Sequence, residues 1–352
     1  MEKRDVEQLE LRGDGKIPSI SIKAESLGEA SHKAISACYN HGVRIETPKH
    51  KIGDSLGYDA DITVRVNSPE SEEHIYRHGT NQTGVGMLEY SLEVTHGIHN
   101  HRKKCKEHPD WWGYTYNERF VDQIPLILQR IKTECNQKGR ITGRDYQFTI
   151  WRPGEDVILE QEDPPCWQRG QFRFLKNSDG KTIMNYQTDW RSRDLLKAWT
   201  DNNVAQIEFM KLFRDKVSDM LGIPIKLGAY IDRSTSLHIY GYYLDDKNTR
   251  KQLEMIAHTS HENTTSELRT FSLKDYILYA GDETLNSLEQ VKTFIAAQLD
   301  AEAKGNGLQQ KRPMLKELGY DLSKVNYPKE WDSWPKSWDA EPDITKLARV
   351  VN

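Results

Sequence analysis

Three things that this chain of 352 residues lacks narrow its class before any motif is read. It has no Cys-x-x-Cys pair: Cys38, Cys105, Cys135 and Cys166 are scattered, which argues against a disulfide framework and for reduced thiols in an intracellular setting. No apolar run approaches the ~20 residues that cross a bilayer, and the charged opening Met1-Glu2-Lys3-Arg4-Asp5 has no apolar signal core. Nor is there an excess of positive charge. A formal net charge of -4 and a pI near 6.3 argue against a protein that lives on a nucleic-acid backbone through uncompensated Lys and Arg. The expectation is a cytoplasmic protein with no membrane and no nucleic-acid partner.

What is present is enough apolar sequence, 36% of residues, for one large core. Ser26 and Glu29 form a capping box ahead of Ala30, Ile35 and Cys38, and Gly42 stops that helix. Asp61 to Val66 alternates as a strand, and Met87 to Thr95 reads as a helix ended by Gly97. Pro125 opens another helix that Gly139 closes, and Tyr146, Phe148 and Ile150 alternate in a strand that opens at Arg144. Apolar residues from Leu195 to Met220 keep helical spacing, predicting one long buried helix before Gly222 and Pro224. Two strands, Ile225–Ile231 and Ser236–Leu244, and helices over 247–259 and 283–303 follow. The sum is a single α+β domain over 1-305, with a charged tail over 306-352 carrying Trp331, Trp334 and Trp338. Those tryptophans either anchor the tail or make a lid.

Three short segments carry chemistry. Cys166 follows Pro164-Pro165, so its thiol sits on a stiff backbone, and Arg169 nearby would favour the thiolate. Arg191-Ser192 pairs a guanidinium with a hydroxyl, a set that binds phosphate, with Arg144 as a second candidate. His238 and Tyr240 at period two suit ribose hydroxyls. The bland alternatives are a buried thiol, ion pairs to Asp189 or Asp194, and ordinary strand residues. The run from His96 to His108 with Cys105 matches no zinc spacing and reads as a basic loop, so no metal is expected.

In order, these segments resemble the thymidylate synthase and pyrimidine-nucleotide hydroxymethylase family over about residues 25 to 245. The resemblance rests on Pro165-Cys166, Arg191-Ser192-Arg193-Asp194, Asn203-Val204-Ala205 and His238-Ile239-Tyr240. Gly97-Ile98-His99-Asn100, Gly113-Tyr114-Thr115-Tyr116 and Asp122-Gln123-Ile124 are weaker echoes. It implies a mixed β-sheet with flanking helices, and a homodimer in which Arg144 reaches the partner's phosphate. It also implies a Cys166 adduct at C6 of a pyrimidine nucleoside monophosphate, and 5,10-methylenetetrahydrofolate as one-carbon donor.

By the same resemblance Arg191, Ser192 and Asp194 hold the nucleotide, Asn203 reads the base, and His238 and Tyr240 hold the sugar. Asn100, Phe120 and Trp167 fall at the folate. The family's glutamate position falls on Tyr90, which leaves Glu89 or Glu93 to manage protons. Asn203 favours uracil, though one extra residue after Asp194 lets Asp201 compete and leaves cytosine open. The changes at Phe120 and Trp167 tilt the expected product toward 5-hydroxymethylation. Methylation, or an inactive nucleotide- or RNA-binding relative, are the alternatives.

Overall fold

The computed structural model describes residues 15–46, 51, 53–102, 104, 113–158, 163–263, 270–280, 285, 287–306, 312–343 and 345. Its centre is an eight-stranded mixed sheet, so the α+β expectation is met. Strands β1 (Ser19–Ala24), β2 (Val43–Ile45) and β3 (Gly57–Val66) precede the short strand β4 (Ile75–Tyr76). Then come β5 (Gln147–Thr149), β6 (Trp167–Lys176), β7 (Thr182–Trp190), β8 (Arg193–Asp194), β9 (Ile225–Ile239) and β10 (Thr270–Phe271). The sheet runs β1-β3-β9-β7-β6-β5, with β2 on β3 and β8 on β9, while β4 and β10 form a separate pair. β1 with β3 and β7 with β9 are parallel, and the other long pairings are antiparallel.

The main helices are α1 (Leu27–His41), α2 (Gly84–His96), α3 (Ile124–Lys138), α4 (Trp199–Leu221), α5 (Lys247–His258) and α6 (Leu288–Ala303). Their ends follow the sequence signals. Ser26 Oγ accepts from the Glu29 amide at the start of α1, and Gly97, Gly139 and Gly222 end α2, α3 and α4 with φ of 67°, 63° and 63°. At Gly97 a side chain would also collide: a Cβ there would lie 2.4 Å from Asn100 Nδ2 and 2.5 Å from Asn117 Oδ1.

Two sequence expectations are corrected. The two strands expected at 225–231 and 236–244 are one strand, β9, that ends at Ile239, after which Gly241–Asp245 is a helical turn. The polar run Asp232-Arg233-Ser234 reads as a break because its charge pattern hides where the side chains go; Asp232 and Ser234 are in fact buried and bonded. The long helix starts at Trp199, because Arg193 and Asp194 are held as a short strand on Leu237 and His238.

Helix α4 is the spine of the core. Its Ile207, Met210 and Phe213 are buried, and Phe213 stacks on Phe172 of β6 with ring centroids 3.7 Å apart. Trp338 of the tail is 2% exposed and meets Phe209 edge-on at 5.5 Å, so this tryptophan anchors the tail to α4. A second apolar cluster joins Val291 and Ile295 of α6 to Leu315, Tyr327 and Trp331, so packing continues past residue 305. No described helix is long and apolar enough to cross a membrane.

Candidate active site

Cys166 lies at the entry to β6, where the pairing with β7 shifts register between Trp167 and Arg169. An irregularity there re-aims the residue before the strand. Arg191 fixes it from the far end of β7: its amide donates to the Cys166 carbonyl at 2.8 Å, its Nε to the Pro165 carbonyl at 3.0 Å, and its Nη2 to Pro164. The stiff loop of the sequence reading is thus a loop latched by Arg191. Burial raises the pKa of the Cys166 thiol; Arg191 and Arg193 oppose this and Asp163 adds to it. Arg169 plays no part, because its guanidinium bonds Asp189 at 2.8 Å and Gln147 at 2.7 Å.

Tyr114, Tyr116 and Tyr240 lie within electrostatic reach of the thiol. Tyr114, pushed up mainly by burial, also feels Cys166, Asp163 and Arg191. Tyr116 feels Tyr114, Tyr90 and Cys166, and its ring meets Trp167 edge-on at 5.6 Å. The Tyr240 phenol is raised to about 12, first by burial and then by Asp194, with Tyr242 and Cys166 adding smaller effects. Cys166, Arg191, Asp194 and Tyr240 therefore border one region, joined by Tyr114 and Tyr116, which the sequence reading used only as weak echoes. Ser192, next to Arg191, is half-buried, and its hydroxyl has no partner among the described residues.

His238 stands edge-on to Tyr240 with centroids 4.6 Å apart, and a Ser236 hydroxyl lies 3.3 Å from its Nδ1. Ser236 in turn donates to Asp59 at 2.9 Å. Asp194 accepts from the Tyr243 hydroxyl at 2.8 Å and from the amides of Leu196 and Lys197, an N-terminal cap for the turn that leads into α4.

Below this layer lies a densely bonded polar network, although Arg193 Nη1 finds no partner among the described residues. Arg193 bonds Ser234 and Asp232 and sits over the Trp190 ring, its Cζ 4.3 Å from the centroid. Trp199 Nε1 donates to Asp232 at 3.0 Å, and Thr188 donates to it at 2.9 Å. Asn203 belongs here: it is fully buried, its Nδ2 donates to the Trp199 carbonyl at 2.8 Å, and its Oδ1 accepts from the Tyr230 hydroxyl at 2.6 Å. Both ends of that amide are used inside the chain.

Its helix neighbours face the other way. Asn202 Nδ2 donates to the Tyr90 hydroxyl at 2.7 Å, bridging α4 to α2. Asp201 accepts from Gln82 Nε2 at 3.0 Å, its other oxygen is buried without a partner among the described residues, and burial raises its carboxyl to about 7. Asn202 and the Gln82 contact escaped the sequence reading, which placed Tyr90 only at the family's glutamate position and used the extra residue after Asp194 to let Asp201, not Asn202, compete with Asn203.

Glu89 and Glu93 clasp a histidine. Glu93 lies 2.8 Å from His99 Nδ1 and Glu89 3.1 Å from Nε2, and Arg102 beyond them is paired with Glu302 at 2.7 Å. Burial opposes charging of His99, yet the bonds to Glu89 and Glu93 outweigh it and raise its pKa. The charges that act on the Cys166 thiol are those of Arg191, Asp163 and Arg193, and neither glutamate is among them. Of the loop considered for metal, Cys105 and His108 lie outside the described residues.

The positions expected at a folate are internal. Phe120 and Trp167 are fully buried, 5.5 Å apart, and Phe120 also packs on Phe148 and Phe209. Asn100 is spent in the Gly97 turn, accepting from Thr115 at 2.5 Å and donating to Asn117 at 2.9 Å. Arg144 is exposed ahead of β5, on a groove of about 1080 Å³ shared with α3 that Cys166 does not line.

No family model matches the sequence, and no curated protein matches it. Among solved structures the chain is similar to the thermostable thymidylate synthase A from Bacillus subtilis, at 17% identity over 65% of this chain and 84% of that one, with a TM-score of 0.45. It is also similar to thymidylate synthase from T4 phage, at 15% identity over 70% of this chain and 90% of that one, again with a TM-score of 0.45.

Proposed function

We propose that this protein is an enzyme of the thymidylate synthase type that activates a pyrimidine nucleoside monophosphate through a Cys166 adduct at C6, for one-carbon transfer to C5. The observation that carries this is the Cys166 loop: a thiol at a strand bulge, latched by Arg191, bordered by Tyr114, Tyr116 and Tyr240, and followed by the free hydroxyl of Ser192. A buried structural cysteine needs no such latch.

The roles follow from these groups. Arg191 and Ser192 receive the phosphate, and His238 and Tyr240 the sugar. The thiol releases its proton to water, its Sγ–C6 bond forms, and the C5–C6 π pair moves toward O4, leaving C5 nucleophilic. An incoming phosphate also draws Arg191 away from the two proline carbonyls, which couples substrate binding to the nucleophile loop.

A folate would supply the one-carbon unit. Phe120 and Trp167 present no open face, and Asn100 is held at both ends of its amide by Asn117 and Thr115, so these three residues do not fit that group. Hydroxymethylation remains the favoured product and ordinary methylation of dUMP the alternative. The second copy of a homodimer would cover the sheet face that carries Arg173, Gln187 and Arg233, which are half-buried or exposed in the single chain, with Arg144 at its margin.

Incubation with dUMP, dCMP or CMP and 5,10-methylenetetrahydrofolate, followed by mass analysis of the nucleotide, tests the reading. A C5-hydroxymethyl or C5-methyl product supports it, and no C5-modified product from any of the three overturns it. A binding-only role has one observation in its favour, the thiol held protonated by burial. It fails if Cys166→Ala abolishes turnover at unchanged nucleotide affinity.

A further inference from the structure

We propose that Tyr90, held by Asn202, meets the C4 carbonyl edge of the pyrimidine, and that its hydroxyl stabilises the charge that reaches O4 when Cys166 adds to C6. This rests on the function proposed above and names the base it takes, a 4-keto pyrimidine. Asn202 Nδ2 donates to the Tyr90 oxygen at 2.7 Å, so the phenol accepts there and its own proton is left to donate. Among the described residues that proton has no acceptor, and the Asn202 carbonyl has no donor. One spare donor beside one spare acceptor complements a C4=O next to an N3–H.

The pair also borders the region of the thiol, through Tyr116, whose ring lies 5.8 Å from Tyr114 and 5.6 Å from Trp167, the residue after Cys166. Tyr116 feels both Tyr90 and Cys166, and Tyr114, which feels Cys166, acts on Tyr90 in turn. Competing groups are engaged elsewhere: Glu89 and Glu93 hold His99, and Asn203 is bonded at both ends. Burial, with Glu93 and Asp201 adding, keeps the Tyr90 phenol protonated far above neutral pH, so it serves as a fixed donor. In the step itself the Sγ–C6 bond forms, the C5–C6 π pair shifts through C4 onto O4, and the Tyr90 hydrogen bond shortens without transfer of its proton.

The test is exchange of the C5 hydrogen of dUMP for deuterium in D2O, which needs the adduct and no second substrate. Tyr90→Phe is expected to slow exchange roughly 100-fold, the usual effect of removing one oxyanion donor, while dUMP affinity stays within about 3-fold. Difluorotyrosine at position 90, which keeps the ring and acidifies the hydroxyl, is expected to speed exchange severalfold and covers the case of a poorly folded Tyr90→Phe. Exchange indifferent to both replacements overturns the proposal and leaves the function standing. Wild-type exchange faster with dCMP than with dUMP overturns the 4-keto assignment. Nucleotide binding without exchange by the wild type, on any pyrimidine monophosphate, sinks the underlying function as well.

Discussion

Two layers at the start of α4 differ by one residue in sequence and by almost everything in hydrogen bonding. The lower layer, with Asn203, Tyr230, Asp232, Arg193 and Thr188, is bonded within the chain apart from Arg193 Nη1, which has no partner among the described residues, and Asn203 uses both ends of its amide there. The upper layer, with Cys166, Ser192, Tyr90 and Asn202, holds hydroxyl and amide groups with capacity left over. Saturated polar groups fix a core, whereas spare ones cost stability unless something arrives to use them. Asp201 sits between the two, buried with one oxygen bonded and the other not.

The comparison breaks first at Cys166. Cys166→Ala should remove all covalent adduct with a 5-fluoropyrimidine nucleotide, read by intact-protein mass, while leaving the unfolding midpoint almost unchanged. Next comes the lower layer. Asp232→Ala leaves the Arg193 guanidinium buried without its carboxylate and should destabilise the protein by about 3–5 kcal/mol in a denaturant titration. A loss below about 1 kcal/mol would mean that water replaces the pair.

Asp201 gives the pH dependence. Its carboxyl is raised from 3.8 to about 7, chiefly by burial, so folding takes up a proton over that interval. Stability from this group is complete below pH 3.8 and is lost as pH rises toward 7, by a few kcal/mol in total. Asp201→Asn should flatten this slope and be more stable than wild type at pH 8, a result visible in melts across the range. The finest cut separates the neighbours. Asn203→Ala should cost about 1–3 kcal/mol by stranding buried partners, whereas Asn202→Ala should cost less than ~1 kcal/mol and act instead on nucleotide affinity, measured by calorimetry.

Much of the fold was legible. Ser26, Gly97, Gly139 and Gly222 mark helix ends because caps and left-handed φ depend on local chain chemistry. β9 was misread because its polar residues look like a turn until a buried arginine is placed beside them. The surroundings of Glu89 and Glu93 were hidden for a related reason. A helical face shared by two carboxylates says nothing of the histidine, His99, that folds back between them.

By itself, then, the sequence determined the α+β class, the long buried helix, the proline-stiffened Cys166 loop and the order of the candidate motifs, since each depends on periodicity or on neighbouring residues. Only the tertiary structure decided which face of α4 meets the thiol's region. Each step along a helix turns a side chain by about 100°, so a one-residue difference in register sends Asn203 into the core and Asn202 to Tyr90. That phase is set by the packing of α4 against β6 and α2, which no local pattern encodes.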